Sequence, residues 1–326
     1  MSLFLAAALF AGCTTGHKQN VYVVGWEHYG DNSTGRVAKL WINGKDASLT
    51  SKDTRDAVAL SIYVSDKDVY AAGYDIAGFA VHAKLWKNGV AQNLIVTSNT
   101  SEANAVFVSG NDVYVAGREG YKATVWKNGT PENLTDGTRS ATAHSVFVSD
   151  GDVYVAGRER NAQGNNVVKL WKNGIVQNLT NGDYDAKAFS VFVSGADMYV
   201  AGYENNAQGR TVAKLWKNET AQILHTDELD NSSALSVYVS ESDVYVAGHK
   251  RNVATFWKNG VAESLTYGTN EAEAWSIFVS GNDVYVAGSE RNEHGIYIAK
   301  LWKNGEEVSL TEGNRGDAKV FSVFVK

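Results

Sequence analysis

Seven tandem copies of a strand-rich motif set, an Asn-Gly turn in nearly every copy, and complementary half-copies at the ends of the repeat region predict an all-β fold. These observations specify a seven-bladed β-propeller of four-stranded antiparallel blades. The period is set by Trp41, Trp86, Trp126, Trp171, Trp216, Trp257 and Trp302, spaced 45, 40, 45, 45, 41 and 45 residues apart.

Each repeat reads as four short strands. The first carries a "SVFV" segment, as at Ser145–Val148, rich in β-branched and aromatic residues. A short polar turn ending in Asp follows, at Asp68, Asp112, Asp152, Asp197, Asp243 and Asp283. The second strand is "VYVAG", as at Val153–Gly157. The third is "VAKLW", and an Asn-Gly pair separates it from a short fourth strand of the "QNLT" type. Asn-Gly favours a type I′ hairpin because both central residues need positive φ. Asn218-Glu219 is the one departure from that dipeptide. No segment sustains a helical period.

The ends sharpen the architecture. The repeat region opens on a second strand, Val21–Gly25, and closes on a first strand, Ser322–Val325. The two are expected to pair, completing one blade, closing the ring and leaving no open sheet edge at the seam. The expected organisation is a leader and short tether over residues 1–19, then one propeller domain over 20–326.

The "DVYVAG" segment resembles the second strand of a kelch repeat, although one glycine stands where kelch has two and the tryptophan lies on the third strand. The Trp-Asp ending of WD40 repeats is absent. At the N-terminus, "SLFLAAALFAGC" is an apolar run ending in small residues before the only cysteine, Cys13. It resembles a bacterial lipoprotein signal, with Leu9-Phe10-Ala11-Gly12-Cys13 as the lipobox. Phe10 sits where an aliphatic residue is usual, and no Lys or Arg precedes the run. The resemblance implies lipidation of Cys13 and a location at the bacterial cell envelope, with the membrane reached only through the lipid anchor.

Composition narrows the function classes. The 326 residues carry a formal net charge of −6 and show no basic stripe, which argues against nucleic acid as a partner. A single cysteine excludes an internal disulfide. The seven histidines lack metal-ligand spacing, and there is neither a nucleophile elbow nor a phosphate loop. Ser149–Asp152, "SDGD", looks like part of a calcium loop, but sibling repeats place "SGND" and "SDKD" in the same turn. No cofactor, metal or catalytic residue is assigned, and the domain is expected to be a monomer.

Residues that recur in every repeat belong to the scaffold. The repeated Trp, Tyr and Phe are expected to pack between blade faces. An acid after "VYVAG" (Glu27, Asp75, Glu119, Glu159, Glu204, Glu290) and a lysine before Leu-Trp are expected to form a cross-strand ion pair of little energetic weight. Function is expected in the registers that vary. Those lie on the face bearing the longer loops between second and third strands and between blades. The candidates after the glycine are Trp26, Tyr74, Arg118, Arg158, Tyr203 and His249. Those just before "SVFV" are His144, Phe189, Trp275 and Phe321. Trp26 and Trp275 are the two tryptophans outside the repeat. Aromatic and Arg anchors suit a protein, peptide or glycan ligand. The competing expectation is an envelope hydrolase or lyase acting on carbohydrate or peptide, with acids and histidines such as Glu159 and His144 gathered at the ring axis.

Overall fold

A computed structural model describes residues 19–28, 35–51, 54, 56–92, 94–225, 227, 230–313 and 316–326. Cys13 and the lipobox lie outside the described residues. The described chain forms seven four-stranded antiparallel sheets arranged as the blades of a propeller. Blade 1 joins both ends of the repeat region: Ala318–Val325 is its first strand, and Val21–His28, Arg36–Ile42 and Lys45–Ser48 follow. Tyr22 pairs with Phe324 and Val24 with Ser322. Beyond these pairs, the Asn20 and Lys326 backbones exchange hydrogen bonds of 2.6 and 2.9 Å. Blades 2 to 7 follow in chain order, each from one continuous segment.

The repeated motifs form one hairpin at the end of the blade away from the longer loops. In blade 4, Asn173 has φ 50° and Gly174 φ 78°, as a type I′ turn requires. Asn173 Oδ1 accepts the Val153 amide at 2.8 Å, while its Nδ2 donates to Asp152 at 2.8 Å. The neighbouring Lys172 pairs with Asp152 at 2.7 Å and lies 5.1 Å from the Tyr154 ring centroid. Trp-Lys-Asn-Gly and the turn Asp are therefore one cooperating unit. Its Lys–Asp pair recurs in blades 2 to 7, with Glu219 in place of the glycine in blade 5.

The seven repeated tryptophans are all fully buried, each against the preceding blade. Trp171 packs with Tyr114, Ala116 and Val125 of blade 3, and Trp41 packs with Tyr285 and Leu301 of blade 7. The first-strand Phe and Tyr behave differently from the expectation of packing between blade faces. Tyr63, Phe107, Phe147, Phe192, Tyr238, Phe278 and Phe324 contact one another in a closed ring, with centroids 4.7 to 5.0 Å apart. A seven-sided polygon of that edge has corners about 5.5 Å from its centre, so these tilted rings constrict the axis to a few ångströms.

The acid–lysine pair forms as expected, but diagonally. Gly157 lies opposite Lys169 and Glu159 opposite Val167, so Lys169 reaches past the bare glycine to Glu159 at 3.0 Å. These pairs are largely covered rather than exposed: the lysine side chain is 14% accessible in blade 4 and 10% in blade 7. They carry more weight than a solvated surface pair. In blade 3, where Thr124 replaces the lysine, Glu119 instead accepts hydrogen bonds from the Thr97 hydroxyl at 2.6 Å and the Ser98 amide at 2.9 Å.

Candidate functional site

The variable registers owe their position to a backbone irregularity. Every first strand carries a β-bulge against the second strand, between Ala143 and Ser145 in blade 4 and at the equivalent position elsewhere. The bulged residues are Leu60, Asn104, His144, Phe189, Leu235, Trp275 and Phe321. A bulge re-aims the side chain of its extra residue. It also brings the chains close together: a Cβ built on Gly157 would lie 2.1 Å from the Thr142 carbonyl oxygen. The glycine of "VYVAG" is thus the price of the bulge.

Contacts in the bulged register cross blade boundaries. Phe189 lies 6.0 Å from His144, and Trp275 meets Phe321 edge-on at 5.2 Å. Asn104 Nδ2 donates to the Ala143 carbonyl at 2.9 Å. This register therefore forms a second tier around the axis, beside the aromatic ring. His144 Nε2 and Trp275 Nε1 are buried in it without a hydrogen-bond partner. The scaffold tryptophans Trp171 and Trp302 likewise bury an unpartnered Nε1. Burial, followed by the positive fields of Lys187, Arg158 and Arg118, holds the His144 pKa well below the usual histidine range. Its imidazole is neutral at pH 7.

The register after the glycine surrounds this tier. Tyr203 lies 6.0 Å from Phe189 and donates its hydroxyl to Asp185 at 3.5 Å. Arg158 donates to Asn166 Oδ1. Arg118 is held by both Glu102 oxygens, at 3.0 and 2.5 Å. His144, Phe189, Tyr203, Arg158 and Arg118 thus share one sector, across blades 3 to 5. Trp26 and Tyr74 belong to a neighbouring group: the Arg36 guanidinium lies 5.6 Å from one ring and 6.0 Å from the other. Arg36 is itself paired with Asp56 at 2.6 Å. Trp26 lies against His28, with ring centroids 5.0 Å apart and the planes tilted by 50°. His249 lies apart, in a rim pocket of about 490 Å³ lined also by Arg210, Asp230, Asn231, Arg251, Asn252, Glu271 and Glu273.

Sequence reasoning missed one register, two positions before each bulge: Val58, Glu102, Thr142, Lys187, Ser233, Glu273 and Lys319. It lies opposite the register after the glycine, with Lys187 facing Tyr203 and Glu102 facing Arg118. Its signature was present in "AKA", "ATA" and "AEA". The alanines are buried on one face, and the residue between them is left to face the axis. Lys187 is the most unusual member. Its ammonium lies 4.5 Å from the Phe189 ring centroid, and burial with the adjacent Arg158 pushes its pKa down to about 8.

The acids proposed for catalysis are individually committed. Glu159 pairs with Lys169, Glu204 with Lys214, and Glu119 bonds to Thr97 and Ser98. Among the described residues, no group of three His, Cys, Asp or Glu side chains is placed to hold a metal ion.

No protein-family model and no curated protein sequence matches the chain. Solved structures do. The β-propeller domain of the Trilobed protease from Pyrococcus furiosus, which has an open velcro topology, is similar at 12% identity and a TM-score of 0.52, over 90% of this chain and 95% of that one. A puromycin-hydrolysing peptidase of Mycobacterium tuberculosis is similar at 10% identity and a TM-score of 0.60, over 90% of this chain and 52% of the peptidase. At these identities the likeness shows the fold alone: the chain is a seven-bladed β-propeller whose ring, unlike an open velcro, is closed by Ala318–Val325.

Proposed function

We propose that this propeller is a non-enzymatic binding module, tethered by a lipid on Cys13 at the bacterial cell envelope, that seats a protein, peptide or glycan ligand at the axial mouth of its longer-loop face. One observation carries this reading. The residues that differ from blade to blade converge on the axis, while those that repeat are consumed by the fold. Phe189 meets His144 of the preceding blade and Tyr203 of its own, and Trp275 meets Phe321 of the next blade. The aromatic ring of Tyr63 and its six counterparts narrows the axis beside them. Aromatic side chains with unpartnered polar atoms between them suit a ligand that is both apolar and hydrogen-bonding.

The hydrolase reading fits less well, because each acid of the repeated row is already neutralised or hydrogen-bonded by a neighbour. The test is binding of the purified chain to an array of soluble peptides and glycans. Phe189→Ala and Trp275→Ala are compared with the parent after their melting curves confirm folding. The reading expects capture to be lost in at least one variant. Parent-like binding by both, to every captured ligand, would overturn the axial site.

A further inference from the structure

The axial mouth is electrostatically uneven. Elsewhere around the circle several cations meet an acid: Arg36 pairs with Asp56, Arg251 with Asp230, Arg291 with Glu271, and Lys319 with Glu273. Across blades 3 to 5 the balance fails. Arg118, Arg158 and Lys187 gather around neutral His144, and the carboxylates facing them are Glu102 and Asp185. Glu102 is spent on Arg118 in a bidentate pair. Asp185 is occupied by the Asn166 amide at 2.9 Å, Asn166 Nδ2 at 2.7 Å and the Tyr203 hydroxyl.

Lys187 and Arg158 are what remain. The Lys187 ammonium has no hydrogen bond or ion pair to a described residue and rests only against the Phe189 ring. Arg158 donates to Asn166 Oδ1 and has no ion pair to a described residue. Holding two such cations together, half-buried, is unfavourable without a counter-charge. Arg160 adds a further positive field on Arg158, and its side chain bonds, among the described residues, only to the Gly164 carbonyl, so the cluster is net positive and calls for an anion. A guanidinium edge beside an ammonium also matches the two oxygens of a planar carboxylate.

We propose that Lys187 and Arg158 form a subsite for a single carboxylate group of the ligand, held at the axial mouth beside Phe189 and Tyr203. This rests on the axial mouth being the binding site, but it is measured with simple anions and needs no natural ligand. Benzoate and acetate are titrated into the full chain by ligand-observed NMR at constant ionic strength, with chloride and inorganic phosphate as competitors. Carboxylates should bind, phosphate more weakly. Lys187→Gln and Arg158→Gln should each weaken binding by about tenfold or more. Lys187→Arg, which keeps the charge, should restore most of it, and Lys172→Gln on the opposite face should change nothing. Binding should also fade as pH rises above about 8, where Lys187 loses its proton.

No carboxylate binding, tighter binding of phosphate, or unchanged affinity in both glutamine variants would overturn the subsite. Array binding that survives Lys187→Gln and Arg158→Gln but is lost in Trp275→Ala would overturn this inference and leave the axial site standing. If Lys187→Gln melts early, Lys187→Arg and the pH series decide the question alone.

Discussion

The Ser322 hydroxyl accepts the Ile62 amide at 3.2 Å, tying the first strand of blade 1 to that of blade 2. The same link recurs from Ser61 to Val106, Ser145 to Val191, Ser190 to Val237, Ser236 to Ile277 and Ser276 to Val323. The first strand is an edge of its sheet, so this amide has no partner strand, and a serine hydroxyl of the neighbouring blade supplies the acceptor. The circle has one gap: blade 3 carries Ala105 where the others have serine, opposite Val146. Ser276→Ala should therefore cost about 1 kcal/mol, and Ala105→Ser should add about 0.5–1 kcal/mol by completing the circle. Urea unfolding midpoints measure both. A destabilising Ala105→Ser would show that the hydroxyl does not reach the Val146 amide.

Gly157 stands against the Thr142 carbonyl, where a Cβ would meet the oxygen at 2.1 Å. The obstacle is backbone on a bulged strand, so no side-chain rotation relieves it. Gly157→Ala should lose more than about 3 kcal/mol and perturb the sector holding His144 and Arg158. Calorimetry gives the stability, and the His144 imidazole resonances report the local change. A melting temperature within a few degrees of the parent would mean that the bulge flattens at little cost.

Asn218 and Glu219 occupy the turn that is Asn-Gly in the other blades, with φ of 45° and 76°. Glu219 has a Cβ in the left-handed region, and the turn is otherwise built alike: Asn218 still bonds the Met198 amide at 2.8 Å. Glu219→Gly should stabilise the protein by about 1 kcal/mol, the cost of that conformation for an L-residue. A lower urea midpoint in the variant would show that the glutamate makes a compensating interaction.

What was legible in the sequence divides along the same line as scaffold and site. Trp171, Asn173 and Gly174 announce themselves because each blade needs the same buried wall and the same turn, so physics repeats the residue. The closing of Ser322–Val325 onto Val21–Gly25 was legible for the same reason. The aromatic tier was visible as a repeat but misplaced, since alternation along a strand does not say which face meets the axis and which the neighbouring blade. The bulge hid a further register. Lys187 and Phe189, two apart, share a face by ordinary alternation, but the extra residue shifts the pattern of everything after it. Lys187 read as one charge among many until Phe189, Arg158 and Asp185 came together around it, a juxtaposition of two blades that no local pattern contains.

Lys187 should make the folded protein less stable than it need be, in a pH-dependent way. Its pKa is about 8 in the fold, chiefly through burial, against about 10.4 in an unfolded chain. Between those values the unfolded chain holds more protons, so this residue's contribution to stability rises as pH rises. Below about pH 8 the penalty is present in full, on the order of 3 kcal/mol, and above about pH 10 it is gone. Lys187→Met, similar in length and uncharged, should therefore be the more stable protein at neutral pH, with the gap closing between about pH 8 and pH 10. The difference between the two proteins isolates this group from the raised lysines, Lys300 and Lys303, which lose their stabilising charge only at higher pH. Chemical denaturation of both across this range provides the measurement. A gap that stays constant with pH would mean that Lys187 keeps an ordinary pKa and that the mouth is wetter than its packing indicates.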